Sequence, residues 1–100
     1  MSKQGYTYEY KTGCGKLFVT CNDVDGRLVQ VFVRLGMAGG CAAAHMRAYG
    51  MLTSTLLEKG AAAADVVAAL KGIGCHLGNC CVDAVARAVE THEATMRRTT

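Results

Sequence analysis

The sequence predicts an α+β domain, a three-stranded antiparallel meander followed by three helices packed on one of its faces. Two observations carry this. The first third alternates apolar and polar residues with a period of two, whereas apolar residues after Gly40 recur at helical spacing. Between the second and third alternating runs stands Asp25-Gly26, a hairpin turn signal, because both residues tolerate positive φ.

Tyr6, Tyr8 and Tyr10 alternate with Thr7, Glu9 and Lys11 in the first strand, which Gly13-Cys14-Gly15 breaks. Leu17–Cys21 forms the second strand and Leu28–Val33 the third. Gly36-Met37-Ala38-Gly39-Gly40 crosses into a helix over Cys41–Lys59, with Met46, Tyr49, Leu52 and Leu56 expected on its core face and Gly60 as its stop. A short helix over Ala62–Lys71 turns Val66, Val67 and Leu70 inward. The third helix starts near Cys81, capped by Asn79 or Cys80, with Val82, Val85, Ala86 and Val89 on one side. His92 reads as solvent-facing, and Arg97-Arg98 as a frayed, solvated tail.

One hundred residues suit a single domain spanning 1–100, with its core at about residues 6–92. Apolar residues make up 51% of the chain, so it is globular, yet much of that share is alanine, and two phenylalanines and no tryptophan make a thin core. Such a core gains from a metal or from self-association, most simply as a symmetric homodimer through the tyrosine-bearing edge. A net charge of +3 is mild, and the linear sequence shows no basic stripe interleaved with aromatic platforms, so nucleic acid is not an expected partner. No window is apolar enough to span a membrane, and residues 1–5 lack the apolar run of a secretory signal; a cytoplasmic location is expected.

In a reducing compartment, six cysteines point to metal or redox chemistry, or to buried thiols, before disulfides. Cys75 precedes Cys80 and Cys81 across one loop at a helix start, where the helix dipole favours thiolate. Cys41 begins another helix, and Cys14 lies in a glycine turn that could point toward it. Cys14, Cys41, Cys75 and Cys81 are therefore a candidate metal set, with zinc the expected ion. The competing reading makes some of these thiols small buried hydrophobes, as is expected of Cys21 inside a strand. His76 and His45 are possible accessory groups. A second candidate is an anion site: Arg34 with the amides of Gly39, Gly40 and Cys41 at a helix start suits a nucleotide or phosphate. A third is a thiol relay through Cys80-Cys81 or Cys75. Asp83 and Glu90 form no base–nucleophile pair, and Asp83 suits the first turn of a helix, so a binding or accessory module is expected rather than a self-contained enzyme.

Four stretches together resemble the TSCPD domain family: Gly13-Cys14-Gly15-Lys16-Leu17-Phe18-Val19-Thr20; Val31-Phe32-Val33-Arg34-Leu35-Gly36-Met37-Ala38-Gly39-Gly40-Cys41-Ala42; Leu70-Lys71-Gly72-Ile73-Gly74-Cys75; and Cys80 to Glu90. Members occur at the C-terminus of adenosylcobalamin-dependent ribonucleotide reductases and as short free-standing proteins. The resemblance therefore implies an accessory role associated with ribonucleotide reductase. The residues matching the family's cysteines are Cys14, Cys41, Cys75 and Cys81. The chain departs from the pattern in several places, a short loop before the last motif among them. The Ser-Cys-Pro-Asp motif reads Cys80-Cys81-Val82-Asp83, and Gly74 replaces an arginine.

Overall fold

The computed structural model describes residues 3–12, 15–36, 40–73 and 81–98, with side chains described for 5–12, 15–36, 43–73 and 82–96. Strands β1 (Lys3–Thr12), β2 (Gly15–Val24) and β3 (Arg27–Leu35) form an antiparallel sheet in the order β1-β2-β3. Helices α1 (Gly40–Glu58), α2 (Ala63–Leu70) and α3 (Cys81–Arg98) follow, as the sequence predicts. Each strand runs past its alternating core because ladder pairing continues through polar flanks, from Lys3 opposite Val24 to Thr12 opposite Gly15. Asp25 (φ 53°) and Gly26 (φ 82°) make the β2–β3 turn in the left-handed conformation.

Directly opposed residues share a face. Tyr6, Tyr8 and Tyr10 thus stand beside Cys21, Val19 and Leu17, and these beside Val31, Val33 and Leu35. From β2 and β3 this inner face supplies the buried Leu17, Val19, Cys21, Val31, Val33 and Leu35. From above it receives Met46 and Leu57 of α1, Val66 of α2, and Ala84, Val85, Ala88 and Val89 of α3.

Helix α1 runs back along the edge strand β3. The Arg27 guanidinium donates to the Leu57 carbonyl at 2.8 Å, and the Ser54 hydroxyl serves both backbone groups of Val31, accepting from its N–H at 2.8 Å and donating to its carbonyl at 3.0 Å. One hydroxyl thus occupies an edge position where another strand would pair. This approach fixes the rotation of α1. A Cβ at Gly50 would lie 2.9 Å from the Val33 nitrogen and 3.0 Å from the Val31 carbonyl oxygen. With Gly50 and Ser54 facing the sheet, Leu52 and Leu56 turn outward and are 62% and 54% exposed, contrary to the expected core face. Of that expected set, Met46 is buried and Tyr49 half-buried. α1 stops at Gly60 (φ 106°), with Ala61 N–H bonded to the Leu56 carbonyl and Gly60 N–H to that of Leu57. In α2, Asp65 accepts from the Ala62 N–H, closing the first turn. α3 extends through Arg98, so Arg97 and Arg98 belong to its last turn and not to a tail.

Candidate functional site

Three chain segments meet at one end of the sheet. Thr12 and Gly15 flank Cys14 and are ladder partners, with the Thr12 hydroxyl bonded to the Gly15 carbonyl at 2.8 Å. Gly36, just beyond β3, donates its N–H to the Lys16 carbonyl at 2.7 Å, placing the exit toward α1 beside the same hairpin. Since α1 is antiparallel to β3, its first turn, which contains Cys41, lies at this end as well. α3 points the same way. His92 is bonded to Asp23, and Glu93 lines a pocket with Gly26, Arg27 and Leu28, so the later part of α3 lies toward the β2–β3 turn and its start toward the Thr12–Gly15 hairpin. Cys81 is the first residue of α3.

The end of α2 is docked on that first turn of α3. The Gly72 N–H donates to Asp83 Oδ1 at 2.8 Å, and Lys71 pairs with Glu90 at 2.9 Å. Arg87, one turn along, pairs with the other Asp83 oxygen. The Arg87 hydrogen bond, with help from the Gly72 amide, holds the Asp83 carboxyl below its ordinary range. Asp83 thus belongs to a junction that fixes where the chain toward Cys75 leaves α2.

Of the proposed metal set, Cys14 and Cys75 lie outside the described residues, as do Cys80, His76 and Gly39. For Gly40, Cys41 and Cys81 the helical backbone alone is described. Among the described residues no group of three or more His, Cys, Asp or Glu side chains could hold a metal ion. Cys21 is a buried free thiol in β2 as expected, and burial, with the Asp23 charge second, pushes its pKa from 9.0 to about 12. A thiol so placed is neither a nucleophile nor a ready metal ligand. We expect Cys21 to resist alkylation in the folded chain at pH 8 and to react once the chain unfolds. Unfolding exposes an ordinary thiol, so the unfolded chain releases that proton near pH 9 while the folded chain keeps it. Cys21 therefore costs no stability below pH 9 and lowers it progressively between pH 9 and about 12. Mass-spectrometric labelling and denaturation midpoints across this window check both statements.

One polar constellation is fully formed, and the sequence reading missed it. His92, expected on a solvent face, is 0% exposed. Its Nε2 lies 2.9 Å from Asp23 Oδ1, and its Nδ1 lies 2.9 Å from the Tyr8 hydroxyl. Tyr6 and Tyr8 bracket the ring at centroid distances of 5.7 and 5.8 Å. His92 follows Val85 and Val89 along the buried stripe of α3, the signal that would have revealed it. A neutral imidazole with its proton on Nε2 donates to Asp23 and accepts from Tyr8. A protonated one donates to both, with the Tyr8 hydrogen turned away. The triad keeps its bonds in either state and pins α3 to β1 and β2. Burial, and secondarily Cys21, raises the Tyr8 pKa to about 12, so its hydroxyl is not an activated nucleophile.

Arg34 lies on the outer face of the sheet, its guanidinium carbon 4.4 Å from the Phe18 ring centroid. That is the face opposite the helices. His45 is exposed, with its ring 6.5 Å from that of Tyr49. Leu52 and Leu56 line an apolar groove of about 320 Å³ with Tyr49, Val66 and Leu70, between α1 and α2. No helix among the described residues is long and apolar enough to cross a membrane.

The family model of the TSCPD domain matches residues 1–93 of the chain. No curated protein and no solved structure matches it significantly.

Proposed function

From the premise that the chain belongs to the TSCPD domain family, we propose that it is a cysteine-rich accessory module, not a self-contained catalyst, that binds one zinc ion and serves a ribonucleotide reductase. The observation that carries this reading is the convergence of the two cysteine-bearing helix starts with the Thr12–Gly15 hairpin at one end of the sheet. Helix N-termini in general favour anions, and cysteine thiolates are the ligands that a soft divalent cation prefers. Cys14 sits between the hairpin's ladder partners, and Cys75 follows the segment that Asp83 ties to α3. Cys14, Cys41, Cys75 and Cys81 would be the ligands. The ion's contribution would be structural, tying hairpin, α1 and α3 together.

Protein purified without chelator is expected to carry about one zinc per chain by elemental analysis. Serine at Cys14, Cys41, Cys75 or Cys81 should abolish retention, whereas Cys80→Ser should keep it. Chelation should lower the melting temperature. A chain that is folded, metal-free and indifferent to chelator would overturn the proposal.

A further inference from the structure

The outer face of the sheet carries features that neither the metal reading nor the core explains. Phe32 is 50% exposed there, although burying a phenylalanine is normally worth ~2 kcal/mol. Phe18 and Arg34 are cross-strand partners, and Phe32 is two residues before Arg34 on the same face. Phe18 holds the guanidinium over its ring at 4.4 Å, which gives Arg34 a fixed, exposed position beside Phe32. Lys11 and Lys16 are exposed on this face as well, and its described acidic side chain is Glu9, 3.8 Å from Lys16. Thr7 and Thr20, bonded at 2.8 Å, continue the face as a polar, uncharged surface.

We propose that this face binds single-stranded nucleic acid. An exposed ring and a guanidinium backed by a second ring are two adjacent stacking surfaces, and every base has a π-face to lay on them. Lys11, Lys16 and Arg34 supply charge for the phosphates. The same charges argue against a second copy of the chain as the occupant. Two such faces brought together about a two-fold axis would set lysines and arginines against one another, with one glutamate per copy to offset them. The linear sequence hides the arrangement because Phe18 and Phe32 come from different strands, and only the β2–β3 register makes them neighbours.

The test is fluorescence anisotropy of the full chain with labelled twelve-nucleotide oligothymidylate and oligouridylate, across a series of salt concentrations. The wild type is expected to bind both, more weakly as salt rises. Phe32→Ala should weaken binding by roughly 5- to 150-fold, the loss of one stacked base. Phe32→Leu should weaken it nearly as much, since apolar area remains but the π-face does not. Lys16→Gln should weaken binding less and reduce the salt slope by about 0.7. Phe32 is exposed, so these variants should keep the wild-type melting temperature. Absence of binding at low salt would overturn the proposal. So would binding that Phe32→Ala and Phe32→Leu leave unchanged, or self-association that Phe32→Ala dissolves.

Discussion

Asp23→Ala is expected to cost about 3 kcal/mol, in the range found when one partner of a buried charged or hydrogen-bonded pair is removed. The reason is the asymmetry of the site. His92 is completely enclosed, and Asp23 is the partner of its Nε2 at 2.9 Å. With the carboxylate gone, His92 Nε2 stays in the core without a partner, as an orphaned donor or, in the other tautomer, an orphaned acceptor. For a domain of this size, ~3 kcal/mol corresponds to a fall in melting temperature of roughly 12–24 °C. Asp23→Asn retains an acceptor oxygen and should cost less. The double variant Asp23→Val with His92→Leu, which removes donor and acceptor together, should be more stable than Asp23→Ala alone. A double-mutant cycle read by chemical denaturation isolates the coupling between the two side chains. Strict additivity would show that the pair does not act as a unit.

Gly50→Val is the second large effect. Even the first added carbon would sit 2.9 Å from the backbone nitrogen of Val33, and backbone in a paired strand cannot step aside as a side chain can. α1 would have to lift from β3, loosening both Ser54–Val31 bonds. Overpacking of this kind costs ~1–3 kcal/mol, and the upper end applies here because the clash is with backbone. Replacing a helical glycine recovers less than ~1 kcal/mol of helix propensity, so the net sign is destabilising. Gly26→Ala is the informative comparison. It has no neighbour within 4 Å and suffers from its positive φ alone, so its loss should be near 1 kcal/mol. Equal losses at the two positions, measured by thermal denaturation, would mean that close approach does not set the seat of α1.

These two sites also mark what the sequence made legible. The meander was readable because alternation and an Asp-Gly turn are local signals, and both determine the fold where they occur. The rotation of α1 was not readable from its leucines. Hydrophobic spacing put Leu52 and Leu56 inward, but a glycine that lets two backbones approach and a serine that satisfies an edge strand outrank two leucines. The burial of His92 was legible in its spacing from Val85 and Val89, but its partners were not, because they lie 69 and 84 positions away in sequence. A histidine among helix residues gives no local sign of a buried carboxylate. For the cysteines, sequence position and family resemblance named the set, and the fold adds the direction in which α1 and α3 begin. The outer-face cluster of Phe18, Phe32 and Arg34 depends on register, which no single strand encodes.

The central functional claim, one zinc held by thiolates from the hairpin, two helix starts and the α2–α3 connection, is most directly tested by X-ray absorption at the zinc edge on protein as purified. The account predicts a single shell of four sulfur atoms at about 2.3 Å, and no zinc edge from the Cys41→Ser chain. A first shell of nitrogen and oxygen, or a fully folded chain giving no zinc edge, would contradict it.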